Sequence, residues 1–161
     1  MRHWTLQTEL WVPRPPAEVF PFFGEARNLE TMTPPWLSFE VLTPAPIQMG
    51  RGTLIDYRIR VHGIPLRWRT EIAEWEPPHR FIDVQLRGPY VLWHHTHTFE
   101  PRDGGTLCLD QVQYRPRGGA LINWLFVRRD VERIFAYRQE RLQTLFGSPA
   151  KAAPAANRHG A

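Results

Sequence analysis

The chain has 161 residues, enough for one domain that buries about two-thirds of the surface of its unfolded chain. Its residues are 42% hydrophobic and 22% charged, as in ordinary globular proteins; with no apolar leader and no run of about 20 apolar residues, we expect a cytoplasmic protein without stable membrane insertion. The net charge is +4, but basic and acidic residues are interleaved along the chain, so we expect no nucleic-acid partner.

The N-terminal segment predicts one strand followed by two short helices. Residues 3–12 alternate between apolar and polar side chains, which is the pattern of a strand with one buried face. A cluster of prolines ends this strand, because proline cannot donate to the ladder, and Pro16 suits the first position of a helix. Short helices are expected over 17–23 and 25–32, divided by Gly24.

The middle of the chain predicts an antiparallel sheet. Strands are expected over 36–42, 53–62, 66–72, 81–87, 90–100 and 106–115. The phase of the strand over 81–87 stays open, because Ile82, Val84 and Leu86 form an apolar set while Phe81 lies on the opposite face. A hairpin turn is expected at 102–105, where aspartate and two glycines follow one another.

The C-terminal part of the domain predicts one amphipathic helix over 120–146. Its apolar side chains recur with a period near 3.6 residues: Leu121, Trp124, Leu125, Val131, Ile134, Phe135, Leu142 and Leu145. We expect this stripe to pack on the sheet. Residues 147–161 are rich in alanine and proline and are expected to form a disordered tail, which leaves a single domain over 1–146.

The densest group of polar side chains lies on the strand over 90–100. Trp93, His95, His97 and Phe99 share one face of that strand, because side chains alternate with a period of two. The aromatic members indicate that this face is buried. Two imidazoles are therefore expected on the inner surface of the sheet.

The pairing of this strand with the next decides what the histidines face. In one register His95 lies opposite Asp110 and His97 opposite Cys108. A change of one residue places Leu109 opposite His97 and turns Asp110 outward. The sequence leaves both registers open.

Three interpretations of His95 and His97 also stay open. They are polar anchors on an apolar cavity wall, or structural residues hydrogen-bonded to Asp110, Thr70 or backbone, or zinc ligands with Cys108 or Asp110 as a third donor. We choose the first interpretation and expect no metal and no cofactor. A single cysteine excludes both an intramolecular disulfide and a multi-cysteine metal site.

Short stretches spread over residues 3–146 carry a family resemblance: Ala26-Arg27-Asn28-Leu29, Thr33-Pro34-Pro35-Trp36, Gly52-Thr53, Gly63-Ile64-Pro65, Trp75-Glu76-Pro77-Pro78, Gly88-Pro89-Tyr90, Trp93-X-His95-X-His97-X-Phe99, Gly104-Gly105-Thr106 and Asp110-X-Val112-X-Tyr114. In these stretches the chain resembles the SRPBCC superfamily, the helix-grip proteins that include START domains, the birch-pollen allergen type and the polyketide cyclase/dehydrase type. It is most similar to the bacterial stand-alone members.

The resemblance implies an α+β helix-grip fold, in which a curved antiparallel sheet of six to seven strands wraps around a long C-terminal helix. Two short helices follow the first strand. It also implies an elongated cavity that binds a small hydrophobic or amphipathic molecule of the lipid, polyketide or isoprenoid class. The resemblance supports no catalytic assignment.

We therefore expect a ligand-binding domain whose cavity lies between the sheet and the C-terminal helix. The expected wall residues are Tyr57, Trp68, Trp93, His95, His97, Phe99, Asp110, Tyr114 and Phe135. Two alternatives are an enzyme of the cyclase/dehydratase type that uses His95 and Asp110, and an interaction module with a filled core.

Overall fold

The computed structural model describes residues 3–147, so the tail expected over 147–161 lies outside it except for Gly147. The strands are β1 (Trp4–Val12), β2 (Glu40–Val41), β3 (Leu54–Val61), β4 (Ile64–Glu76), β5 (Arg80–Arg87), β6 (Tyr90–Arg102) and β7 (Gly105–Pro116). They form one antiparallel sheet in the order β1-β7-β6-β5-β4-β3-β2. Each strand therefore pairs with the next in sequence, except that β1 pairs with β7.

Helices follow the first strand and the last. They are α1 (Pro16–Phe23), α2 (Asn28–Met32), a 3-10 helix (Pro35–Leu37), α3 (Gly119–Ile122), a π-helical segment (Asn123–Val127) and α4 (Arg128–Phe146). The last three form one continuous helix. The α+β helix-grip architecture expected from the sequence is confirmed. Within residues 3–147, no helix has the length and apolar character needed to cross a bilayer.

The strand expected over 36–42 is wrong in its first half. Pro35–Leu37 form the 3-10 helix, Ser38 has a φ of 45°, and only Glu40–Val41 pair with β3. Consecutive prolines supply no ladder donors and favour a helical turn at this point. That turn buries Leu37, so the apolar residue that suggested a strand packs from a helix instead.

The β6–β7 hairpin adopts a register that neither sequence alternative contained. Asp103 and Gly104 have φ values of 50° and 74°, as in a two-residue type I′ turn. Pairing begins directly beside this turn and sets His97 opposite Asp110, whereas the first alternative set His95 there. The difference from that alternative is two residues, an even number, so Asp110 still faces inward.

The structure also decides the phase of β5. Phe81 is buried and Asp83 lies on the same inner face, whereas Leu86 is exposed. Phe81 stacks on the His97 ring with 3.9 Å between ring centroids and packs edge-to-face against Phe20. The apolar set that begins with Ile82 therefore belongs to the outer face of the sheet.

The C-terminal helix contains a shift in its buried face. A π-helical turn closes hydrogen bonds from residue i to i+5, one residue more than an α-helical turn. The stripe before the π segment is consequently out of phase with the stripe after it. Trp124 is 75% exposed, and Leu121 and Leu125 are exposed as well, while Phe135 and Leu142 are buried. The expectation that all eight apolar residues pack on the sheet is wrong for these three, and also for Leu145, which is exposed at the last turn.

The buried apolar residues form three clusters. The largest lies where α1 and the end of α4 meet the sheet: Val12, Val19, Phe20, Phe23, Met32, Phe81, Phe99, Cys108 and Leu142. A second contains Ala26, Val41, Ile55 and Ile72, and a third contains Val112, Tyr114, Val131 and Phe135. Members of all three border one central cavity.

Candidate ligand-binding cavity and its buried histidine cluster

A cavity of about 560 Å³ lies between the inner face of the sheet and α4. This volume is within the range of small-molecule sites in proteins. Aromatic side chains from the strands and aliphatic side chains from α2 and β3 form most of its wall. The interior is therefore shaped to receive an apolar molecule.

Six of the nine expected wall residues border this cavity: Tyr57, Trp68, Trp93, His95, His97 and Phe135. The other three are buried behind it. Phe99 packs among the rings of α1, Asp110 lies beneath the two histidines, and Tyr114 lies behind Trp93. Phe99 faces inward as strand alternation predicted, and Asp110 and Tyr114 face inward as in the first register, but other side chains cover all three.

The aromatic part of the wall is built by β3, β4 and β6. Tyr57 stacks on Trp68 with 5.7 Å between ring centroids, and Trp68 meets Trp93 edge-to-face at 5.2 Å. The Tyr57 hydroxyl shares a hydrogen bond of 2.9 Å with the hydroxyl of Thr70. Burial, with the nearby Asp83 charge, raises the pKa of Tyr57, so this phenol stays neutral.

Two imidazoles lie side by side between two carboxylates. His95 Nε2 is 2.8 Å from Asp110 Oδ1, and its Nδ1 is 3.5 Å from Asp83 Oδ2. His97 Nε2 is 2.7 Å from Asp83 Oδ2, and its Nδ1 is 3.1 Å from Asp110 Oδ1. Strand pairing produces this cluster, because inward positions of β5, β6 and β7 lie next to one another.

An arginine from α4 completes the cluster. Arg138 is 7% exposed, and its Nε lies 3.4 Å from Asp110 Oδ2. Its terminal nitrogen lies 3.3 Å from His97 Nδ1, and its guanidinium sits 5.2 Å from the centre of the Phe23 ring. The cluster therefore contains one permanent cation, which stands on the Asp110 side.

Sequence reasoning missed two members of this cluster. Asp83 lies two residues after Phe81, so it shares a face with a large aromatic residue, and that spacing was the available signal. Arg138 lies three residues after Phe135 and four before Leu142, within the apolar stripe of the helix. A lone charged residue inside an apolar stripe indicates a buried partner.

The surroundings of these groups lower the pKa values of both carboxyls and of His95. Burial alone raises the pKa of Asp110, but the Arg138 charge and the two adjacent imidazoles hold it well below its usual value. The pKa of Asp83 is also lowered, because the imidazoles and the guanidinium outweigh its burial. Burial and the neighbouring His97 lower the pKa of His95 to about 4.

His95 is therefore neutral at pH 7 and carries a single N–H. Its contact of 2.8 Å with the Asp110 carboxylate requires that Nε2 hold this proton. Nδ1 then carries a lone pair at the wall of the cavity, beside Asp83. The arrangement offers an oriented acceptor to a ligand, and chemically it is also that of a base held by a carboxylate.

Polar and charged side chains form one rim of the cavity. His62, in the turn between β3 and β4, contacts Asp130 of α4 with 2.7 Å between Nε2 and Oδ2. The Arg133 guanidinium lies 5.0 Å from the centre of the Trp36 ring. All four side chains border the cavity. An apolar interior with a charged rim suits an amphipathic molecule.

A protein-family model matches most of the chain. The model described as "Polyketide cyclase / dehydrase and lipid transport" matches residues 12–136. Comparison with curated proteins gives no match.

Solved structures share the fold. Protein CV1439 from Chromobacterium violaceum has a TM-score of 0.69 and 17% identity, and the match covers 90% of this chain and 99% of that one. TTHA0849 from Thermus thermophilus has a TM-score of 0.67 and 21% identity, with 88% and 99% covered. The nucleoside-diphosphate sugar epimerase from Corynebacterium glutamicum has a TM-score of 0.60 and 26% identity over 85% of this chain. Only 28% of the epimerase chain is covered, so that likeness concerns one part of the enzyme.

Proposed function

Since the chain belongs to the polyketide cyclase / dehydrase and lipid transport family, we propose that it binds a small hydrophobic or amphipathic molecule between its sheet and α4. The proposed ligand class is lipid, polyketide or isoprenoid. The observation that carries the proposal is the cavity of about 560 Å³ with a mainly aromatic and aliphatic wall. The alternative of an interaction module with a filled core finds no support in an interior of this kind.

The polar groups of the wall give the proposed ligand an orientation. Its apolar body lies against Tyr57, Trp68, Trp93 and Phe135, where burial of apolar surface supplies most of the binding free energy. A hydroxyl or acid group of the ligand donates to His95 Nδ1. Phe99, Asp110 and Tyr114 hold these wall residues in place from behind.

Native mass spectrometry of the untagged protein tests this proposal directly. We expect a co-purifying organic mass, or saturable 1:1 binding of the fluorescent apolar probe N-phenyl-1-naphthylamine. Trp93→Ala should weaken probe binding by about tenfold, since an aromatic wall ring contributes on the order of 1.5 kcal/mol. Trp124→Ala is the matched control, because this indole lies on the surface and outside the cavity wall.

The proposal is wrong if the wild-type protein shows a bare mass and takes up no probe to saturation. It is also wrong if Trp124→Ala weakens probe binding as strongly as Trp93→Ala, because the probe would then bind the exposed apolar surface.

A second candidate function is an enzyme of the cyclase/dehydratase type. The hydrogen bond of 2.8 Å between His95 and Asp110 favours it, because it fixes an unprotonated ring nitrogen at the cavity wall. The sign of such activity is a new product mass when an extracted ligand is incubated with the wild-type protein. His95→Gln, which keeps a donor toward Asp110, should retain ligand binding and give no product.

A further inference from the structure

We propose that Asp83, His95 and His97 form a site for a divalent transition-metal ion of the zinc class, with an open position toward the cavity. The site lies at the junction of β5 and β6 on the wall of the proposed ligand cavity, and the ion takes the place at His95 Nδ1 that a ligand hydroxyl or acid group occupies in its absence. The carrying observation is the convergence of one carboxylate oxygen and two imidazole nitrogens.

The three donor atoms have the spacing of a metal site. Asp83 Oδ2 lies 2.7 Å from His97 Nε2 and 3.5 Å from His95 Nδ1, and one donor atom from each residue lies within 4.8 Å of the other two. Donors bound at about 2.0–2.2 Å around one tetrahedral zinc ion are separated by roughly 3.3 Å. Small side-chain movements are enough to bring these three atoms around one ion.

A second layer of contacts orients both imidazoles. Ligating histidines in metal sites donate their other ring N–H to a carboxylate or carbonyl, which fixes the tautomer. Here Asp110 Oδ1 lies 2.8 Å from His95 Nε2 and 3.1 Å from His97 Nδ1. His95 Nε2 donates to this oxygen, so His95 Nδ1 presents a lone pair to the Asp83 side, whereas His97 Nδ1 accepts from the Arg138 guanidinium and His97 Nε2 donates to Asp83 Oδ2. The proton between His97 Nε2 and Asp83 Oδ2 is the one that a metal ion replaces.

The distribution of charge favours the Asp83 side for a cation. Arg138 stands beside Asp110, with 3.4 Å between Nε and Oδ2, and compensates that carboxylate. Two carboxylates and one guanidinium leave a net charge of −1 when both imidazoles are neutral. Asp83 has the histidines as its direct partners, so the uncompensated charge of the cluster lies at the proposed site.

The open position follows from which residues reach the cavity. Asp83, His95 and His97 border it, whereas Asp110 lies behind them. Three protein ligands and one position for water or substrate are the pattern of zinc sites that act on ligands, and structural zinc sites use four protein ligands. A metal ion here takes an oxygen atom of the bound molecule, such as a carboxylate or enolate oxygen, as its next ligand.

Metal titration of the untagged, EDTA-stripped protein tests this inference. We expect one equivalent of Zn²⁺ to bind in calorimetry, and Co²⁺ to give the visible d–d bands of a low-coordinate nitrogen and oxygen site. Asp83→Asn and His97→Asn should each weaken Zn²⁺ binding at least tenfold. His94→Asn is the matched control, since His94 belongs to the same strand but to its opposite face, and it should bind Zn²⁺ as the wild type does.

Three results overturn the inference: no saturable Zn²⁺ binding by the wild type, unchanged affinity in both Asp83→Asn and His97→Asn, or loss of binding in His94→Asn. The wild-type titration decides the first without any variant, and thermal unfolding with near-ultraviolet circular dichroism checks that the variants are folded. Probe binding is measured separately in EDTA, so a failure of the metal site and a failure of the proposed cavity function are distinguishable.

Discussion

His95 shows how burial can outweigh two neighbouring carboxylates at a single residue. Asp83 and Asp110 both favour its charged form, yet desolvation and the adjacent His97 lower its pKa to about 4. The imidazole is thus a neutral hydrogen-bonding group at pH 7. As the pH falls below 6.5, the imidazole binds a proton in the unfolded chain before it does so in the folded protein. The free energy of unfolding therefore depends on this residue in acid.

We expect the unfolding free energy to fall as the pH decreases from 6.5 to 4. In that window the unfolded chain binds a proton at His95, whose ordinary pKa is 6.5, while the folded protein does not. The shift corresponds to a loss on the order of 3 kcal/mol. Urea unfolding at a series of pH values in EDTA measures it. His95→Gln should flatten this part of the profile, and an unchanged profile in that variant would show that another group is responsible.

Cys108 should be unreactive in the native protein. Burial, with the nearby Asp110 charge, raises the pKa of its thiol to about 12, so very little thiolate exists at pH 8. The thiol is also 6% exposed. Ellman's reagent should label none of the native protein within minutes and one thiol per chain in urea. Rapid labelling of the native state would contradict this placement.

Strand alternation predicted part of this cluster and could not predict the rest. It placed His95 and His97 on the inner face, because a period of two needs no knowledge of the partner strand, but it left the face of Asp110 open. The assignment of partners required the register, and the register depends on where the turn begins. Arg138 comes from a helix remote in sequence, so its approach to Asp110 depends on tertiary packing.

At the level of elements, the π-helical segment explains why a helix with one apparent stripe buries only part of it. Sequence periodicity assumes a constant number of residues per turn, and the segment Asn123–Val127 breaks that assumption. Trp124, Leu125 and Phe126 are exposed as a result, and they form an apolar surface at the start of the helix.

Two substitutions on this helix should separate the buried stripe from the exposed one. Leu142→Ala should destabilise the protein by about 2–5 kcal/mol, because it removes a buried side chain from the largest core cluster. Trp124→Ala should change stability by less than about 0.5 kcal/mol, because the indole is exposed. Urea unfolding measures both. Comparable losses would mean that the two residues share one buried face.

The β2 strand shows a second limit of sequence patterns. Over so short a segment, an apolar residue near Pro34 and Pro35 is equally compatible with a strand and with a helical turn. Here the prolines favour the helical turn, and only Glu40–Val41 pair with β3. A longer segment such as β6 carries enough alternation to be predicted with the right face.

For the whole molecule, the architecture follows from sequence order while the cavity follows from packing. The order of strands and helices was enough to predict a sheet around a C-terminal helix. The cavity volume depends on how far apart the three core clusters lie, and no local sequence pattern determines their separation. The family resemblance supplied the expectation of a cavity, and the structure supplied its residues and size.

Hydrogen exchange should follow the strand order across the sheet. β2 lies at an edge and pairs with β3 through two residues, so its amides should exchange first among the strands. β6 and β7 have long partners on both sides, and their amides should exchange most slowly. Mass spectrometry of peptic fragments measures the difference. Equal rates in β2 and β7 would show that the sheet opens only as a unit.

The pairing of β1 with β7 also determines when β1 can join the sheet during synthesis on the ribosome. β1 is made first, but its partner spans Gly105–Pro116, so the nascent chain carries an unpaired strand until nearly the whole domain has emerged. The hairpins from β3 to β7 can form as they leave the exit tunnel, since each pairs with its predecessor. The alternating apolar face of β1 is thus the part of the nascent chain that stays accessible to a chaperone for the longest time.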